Sequence, residues 1–349
     1  MNTPIKVIIF LLMNLSVAFA QKNQVVVVSS QAQQAERLYN NAVLQYTNKA
    51  YNAATNFLQE ALNINPNLAN AYLLLGTIQR EKGNIPNAVK MYLTYSEKIK
   101  HKDSAYYMIA LMYYDSLNYE NALKYTSMAI QENASDYKTH YLKGLIEFDL
   151  QQYEEAIKDF TAALSLKETL AELYNDRGCA YYQTQKYEDA LTDYNEAIRL
   201  RAIPDYYNNR GSAEYALNNY SKAIEDYTTA IQIDQLNYQA HLNRGVAQLA
   251  LAEYNEAFVD FGKCILLNDK SAEGYNYRGI ACFKLKKYAE AIADFDKAIS
   301  LNPQYGEAYL HRGNAKEMLR EEEPACKDWQ QALDMGVKKA EEYINNQCK

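Results

Sequence analysis

The sequence predicts an all-α fold: a solenoid of nine stacked helix pairs closed by one further helix. Three observations predict it. Small residues recur at Ala42, Gly76, Ala110, Gly144, Gly178, Gly211, Gly245, Gly279 and Gly313, each step 34 residues except the 33 from Gly178 to Gly211. Twelve residues after each stands an alanine, from Ala54 to Ala325, and seven further on a second small residue, with Tyr95 the exception. Within each unit apolar residues return at three- and four-residue spacing, as in Ala291, Ile292, Phe295, Ala298 and Ile299, the period of an amphipathic helix.

Residues 1–20 read as a secretory signal. Lys6 supplies the basic start, Val7 to Phe19 the apolar stretch, and Ala18-Phe19-Ala20 a cleavage pattern before Gln21. The alternative is an uncleaved anchor, but Asn14 and Ser16 interrupt a run already short for a bilayer. Residues 21–34 are expected to be a flexible tether, whose Val25–Val28 patch could instead pair with a partner strand. The helix pairs then follow over 35–68, 69–102, 103–136, 137–170, 171–203, 204–237, 238–271, 272–305 and 306–339. The 33-residue unit loses its residue at Arg201-Ala-Ile-Pro204, where Pro204 can start the next helix. A capping helix is expected over 337–347, with Val337, Ala340, Tyr343 and Ile344 inward and Lys338, Lys339, Glu342 and Asn345 outward. Solenoids need such a polar-faced end.

The spacing has a physical consequence. Two helices joined by a break as short as Lys286-Lys287 must pack antiparallel, and small residues at their crossing let the backbones approach. One pair cannot bury its apolar face alone, so the next must cover it.

At these residues the chain resembles the tetratricopeptide repeat family. Units five to nine match it best, as in Tyr275-Asn-Tyr-Arg-Gly followed by Ala291-Ile-Ala-Asp-Phe, and the match runs from about Ala35 to Lys339. The first three units are looser, and the proline common at a unit's end appears only at Pro66 and Pro303. The resemblance implies a right-handed superhelix whose first helices line a concave groove for partners.

Composition narrows the function. A formal net charge of −7 argues against nucleic acid, whose phosphates need a basic face. After signal cleavage no apolar run can span a membrane. His101, His140, His241 and His311 are too scattered for a metal, and no phosphate loop, nucleophile elbow or HExxH pattern appears. No cofactor and no catalysis are expected. Cys179, Cys264 and Cys282 sit where small apolar residues belong, as buried thiols. Cys326 begins the last repeat helix and Cys348 ends the antiparallel cap, so a disulfide could join them in an oxidising compartment.

The groove candidates lie on first helices: Asn175, Asn208, Asn209, Asn243 and Asn276, with Tyr182 and Tyr215 further along. Asn can pair with both N–H and C=O of an extended peptide, and Tyr adds amphipathic area. They could equally be ordinary surface residues of an Asn-rich chain. Glu172, Asp205, Glu273 and Glu307 form an acidic rim that favours neutral or basic partners. The expected function is therefore an exported, periplasmic scaffold binding polypeptide segments. A cell-wall or glycan-binding module is the alternative, and a purely structural spacer the third reading.

One covariation remains. The residue before each Gly/Ala site and the one sixteen later change together: Asn41 with Phe57, Leu75 with Met91 and Ile109 with Tyr125. From the fourth unit they become Lys143 with Asp159, Arg177 with Asp193, Arg210 with Asp226, Arg244 with Asp260, Arg278 with Asp294 and Arg312 with Asp328. Six ion pairs between the two helices of each unit are expected. The alternative is that both residues face water.

Overall fold

The computed structural model describes residues 30–348, and every regular element among them is a helix. First and second helices of successive repeats are α1 (Ser30–Thr47) and α2 (Tyr51–Ile64), α3 (Ala69–Glu81) and α4 (Ile85–Lys98), α5 (Asp103–Asp115) and α6 (Tyr119–Glu132), and α7 (Tyr137–Asp149) and α8 (Tyr153–Leu166). They continue as α9 (Ala171–Gln183) and α10 (Tyr187–Leu200), α11 (Pro204–Ala216) and α12 (Tyr220–Ile233), and α13 (Tyr238–Ala250) and α14 (Tyr254–Leu267). The series ends with α15 (Ala272–Lys284) and α16 (Tyr288–Leu301), α17 (Gly306–Met318) and α18 (Glu322–Asp334), then α19 (Lys339–Gln347). The expected signal, its cleavage before Gln21 and the Val25–Val28 patch lie outside the described residues.

The helices form two bodies, one ending at Met112 and one beginning at Tyr113, a boundary within α5. In the N-terminal body α2 packs on α1 and α3, α3 packs on α4, and Leu58, Leu75 and Ile78 fill the core. Its first helix starts at Ser30, inside the expected tether. Gln31-Ala-Gln-Gln-Ala35 contains good helix formers and no Gly or Pro to stop them.

In the C-terminal body each helix from α6 to α19 packs on the next. First helices of successive repeats also touch, α7 on α9, α9 on α11, α11 on α13, α13 on α15 and α15 on α17. Successive second helices make no contact of that extent among the described residues, so the first helices are the closer-spaced, inner layer.

The repeat glycines admit rings, and at Gly313 also the Ala325 carbonyl, which a Cβ would meet at 3.2 Å. A Cβ on Gly144 would stand 2.6 Å from the Phe160 ring, and on Gly245 2.6 Å from Phe261. Tyr92, Tyr194, Tyr227, Phe295 and Trp329 sit likewise on Gly76, Gly178, Gly211, Gly279 and Gly313. Where the site is alanine, at Ala42 and Ala110, the residue sixteen later is Leu58 or Thr126, with no ring.

Each intra-repeat turn is a C-terminal helix cap with one residue at positive φ: Lys49, Gly83, Leu117, Gln151, Gln185, Asn218, Ala252, Lys286 and Arg320. In the fourth repeat Gln151 N–H donates to Phe148 O and Gln152 N–H to Glu147 O, which satisfies the last carbonyls of α7. Gly336, at φ 88°, closes α18 in the same way. Val337 is used in that cap, donating to Ala332 O, so α19 begins at Lys339 rather than at 337. Ala340 is buried and Tyr343 stacks on Trp329 at 5.3 Å, while Lys338, Lys339, Glu342 and Asn345 are exposed.

Candidate functional site

The six charged pairs are contacts. Arg177 grips Asp193 through Nε and Nη2, both at 2.7 Å. The same two-pronged geometry joins Arg210 to Asp226, Arg244 to Asp260, Arg278 to Asp294 and Arg312 to Asp328. Lys143 binds Asp159, and also Glu147 at 2.9 Å. All six aspartates are buried, so the pairs tie first to second helices at the repeat crossings rather than decorating the surface. The residue three before each cation completes the arrangement. Where it is tyrosine, the ring lies under the guanidinium, as Tyr309 does 5.2 Å from Arg312. Where it is His140 or His241, Nδ1 lies 2.9 Å from Asp159 or Asp260 instead. Burial works to raise the Asp260 carboxyl, but Arg244 and His241 outweigh it and hold it below the usual carboxylate range.

On the inner layer the candidate residues are partly bound to one another. Asn175 Nδ2 donates to Asp176 and its Oδ1 accepts from Asn209 Nδ2 at 2.8 Å. Tyr141 OH donates to the other oxygen of Asp176 at 2.6 Å. One repeat on, Asn243 Nδ2 donates to Asn208 Oδ1 at 3.0 Å, and Gln239 donates to Asn243. These bonds fasten successive first helices together. Asn276 is buried between Tyr305 and His311, at 3.2 and 3.1 Å, and cannot meet a partner. Its place in the pattern showed the helix face but not the neighbours that cover it. Tyr182 and Tyr215 are half-buried and pack edge-on or tilted against Tyr187 and Tyr220, 5.3 and 5.1 Å away across the intra-repeat turn. On the rim, Asp205, Glu273 and Glu307 are exposed, and Glu172 pairs with Arg201 at 2.7 Å.

Chemistry of other kinds finds little footing. Burial pushes the thiols of Cys179 and Cys264 up to about 12 and that of Cys282 up to about 11, so none is a ready nucleophile. Among the described residues no group of His, Cys, Asp and Glu is placed to hold a metal, and no helix is long and apolar enough to cross a membrane. A disulfide joins Cys326 to Cys348, whose Cα atoms are 5.8 Å apart.

Comparison with known proteins agrees with this geometry. Tetratricopeptide repeat profiles match residues 272–305, 175–237 and 208–263, a TPR repeat profile matches 144–185, and one for anaphase-promoting complex, cyclosome, subunit 3 matches 81–163. A tetratricopeptide repeat protein from Parabacteroides merdae aligns at 22% identity and TM-score 0.57, covering 70% of this chain and 97% of its own. The C-terminal part of a TPR repeat-containing protein from Cytophaga hutchinsonii aligns at 19% and 0.56, covering 67% and 96%. A chain of the APC/C hetero-tetramer Cut9-Hcn1 aligns at 13% and 0.55, covering 90% and 76%. No curated protein matches the sequence. This chain belongs to the tetratricopeptide repeat family. Such repeat stacks are generally non-enzymatic scaffolds for protein interaction.

Proposed function

We propose that the protein is an exported scaffold whose C-terminal body holds an extended polypeptide segment, neutral or basic, along its inner layer. One observation carries this reading. Asn208 Nδ2 and Asn209 Oδ1 have no hydrogen-bond partner among the described residues, although the other ends of both amides are engaged. Adjacent, half-buried residues thus offer one donor and one acceptor, the set that meets the C=O and N–H of an extended chain whatever its side chains. The exposed carboxylates of Asp205, Glu273 and Glu307 support the charge preference. Export is supported by the sequence of residues 1–20 and by the Cys326–Cys348 pair, which suits an oxidising compartment.

A photo-crosslinking residue at Asn208 tests the site in cells. Polypeptide adducts are expected; adducts with polysaccharide alone would shift the reading to a glycan-binding module, and none at all would remove the groove. Intact mass of the protein in the periplasmic fraction should correspond to a chain starting at Gln21 with one disulfide. A chain retaining residues 1–20 would refute the export reading.

A further inference from the structure

Each arginine of the charged row spends Nε and Nη2 on its own repeat's aspartate, which leaves Nη1. In four of five cases the preceding repeat's second helix supplies an oxygen for it. Thr161 serves Arg177 at 3.0 Å, Asn195 serves Arg210 at 2.7 Å, Thr228 serves Arg244 at 3.1 Å and Asp296 serves Arg312 at 2.6 Å. For Arg278 the equivalent residue is Gly262, and Nη1 has no hydrogen-bond partner among the described residues. Packing does not require this glycine. A Cβ built on it meets nothing within 4 Å, unlike the repeat glycines beneath their rings. Glycine in the middle of α14 only weakens that helix.

The surroundings are as unusual as the gap. Val259 and Leu266, 68% and 76% exposed, stand seven residues apart on one face of α14 with Gly262 between them. The equivalent residues are Lys158 and Ser165, Thr192 and Arg199, Glu225 and Gln232, and Ala293 and Ser300, none of them large and apolar. Phe258, also on α14, lies under two cations, with Arg278 at 5.8 Å and Lys287 at 5.6 Å from its centroid. Both cations have carboxylate partners of their own, Asp294 for Arg278 and Glu290 for Lys287, so what the face offers is one unpartnered guanidinium N–H amid apolar surface, with room for one side chain. A carboxylate flanked by apolar groups is complementary to it. This chain presents such a set one repeat earlier, where α12 ends: Ile233, its last residue, and Leu236, 49% and 68% exposed, bracket the exposed Asp234, whose Oδ1 accepts from Leu236 N–H at 3.0 Å and whose Oδ2 has no hydrogen-bond partner among the described residues.

We propose that two copies of the chain associate through this face about a twofold axis. Val259 and Leu266 meet near the axis, and the Asp234 carboxylate of each copy takes Arg278 Nη1 of the other, in the role Asp296 plays for Arg312. Such an interface is self-complementary, so both contacts form twice and the assembly closes as a dimer. It uses the outer face of α14, the loop after α12 and the Nη1 of Arg278, and none of the asparagines of the proposed polypeptide site, so it stands or falls independently of polypeptide binding.

Sedimentation equilibrium of the purified full chain over a concentration series tests it. A monomer–dimer equilibrium is expected, weakened about tenfold or more by Leu266→Lys or by Asp234→Lys. Gly262→Asp supplies the missing acceptor from within the chain. It should lose the dimer while helicity and melting temperature hold or rise, which separates it from misfolding. A monomer at every concentration, a Gly262→Asp variant that dimerises like the parent, or a dimer indifferent to Leu266→Lys would each overturn the proposal.

Discussion

The two bodies solve the same crossing differently. In the N-terminal body Leu75 and Met91 occupy the paired positions sixteen apart, and apolar side chains fill the joint. In the C-terminal body the same positions hold Lys143 and Asp159 in the fourth repeat and Arg and Asp in the five that follow, each of those five locked by two parallel hydrogen bonds. An apolar joint tolerates small shifts, because dispersion and burial are not directional. A two-pronged ion pair permits one relative position of the helices and penalises the rest. Buried pairs are poor evidence for added stability, so the row is better understood as fixing geometry where the candidate surface lies.

The largest effect should come from breaking one pair on one side only. Asp260→Ala strands Arg244 and His241 at a buried crossing and should cost about 3–5 kcal/mol in urea unfolding. Arg244→Leu with Asp260→Met imitates the N-terminal joint and should restore most of that loss. If the double variant is as unstable as Asp260→Ala, the joints are not interchangeable and the comparison fails.

Acid should separate the bodies next. His101, the one histidine of the N-terminal body, is exposed, whereas burial holds His311 down to about 4 against its ordinary 6.5. Lys339 on α19 and Lys284 on α15 oppose its protonation, and Glu307 on α17 only partly compensates. The folded state therefore favours neutral His311, and its stabilising contribution is complete above pH 6.5 and lost as pH falls towards 4. The loss is up to about 3 kcal/mol. His311→Asn, the residue found at the equivalent Asn209 and Asn243, should flatten that slope. An unchanged slope would place the acid sensitivity elsewhere.

Ring and glycine give a smaller effect. Gly245→Ala pushes a Cβ against Phe261 and should cost about 1–3 kcal/mol, although alanine is the better helix former. Adding Phe261→Leu recreates the Ala42–Leu58 combination of the N-terminal body and should recover part of the loss. A neutral Gly245→Ala would mean that the ring moves aside freely.

Much of this was legible in the sequence because a repeat compares itself with itself. The helices and the Arg–Asp row followed from spacing and covariation alone. The ring on each glycine was written in the same register, since Ala42 and Ala110 go with Leu58 and Thr126, but reading the glycines as backbone contacts hid it. The asparagine ladder was not legible as a ladder. Whether Asn209 meets Asn175 or a partner depends on side-chain reach between repeats, which spacing does not report. Asn276 lies at the equivalent of Asn208, yet Tyr305 and His311 enclose it, because packing across repeats decides exposure. The start of α19 was missed by two residues because Val337 serves the preceding cap.

The intra-repeat turns offer the finest discrimination, here between the Gly83 turn of the N-terminal body and the Ala252 turn of the C-terminal one. All nine place one residue in the left-handed region, yet only Gly83, in the N-terminal body, is the residue that adopts it freely. Ala252 occupies the same place in the seventh repeat at φ 61°, with its Cβ crowding the carbonyl that follows. Its N–H still donates to Leu249 O at 3.1 Å, so the cap holds the residue there against its own preference. Glycine at this position removes the steric cost but loosens the unfolded chain, and the first term is the larger. Ala252→Gly should therefore stabilise the protein by about 0.5–1 kcal/mol, and Gly83→Ala should destabilise it by a similar amount. Asn218→Gly should do less, because Asn tolerates this region better than Ala. Thermal unfolding of the three variants gives the ranking. If Ala252→Gly were neutral or destabilising, the left-handed residue would carry no strain, and the Gly83 and Ala252 turns would be equivalent after all.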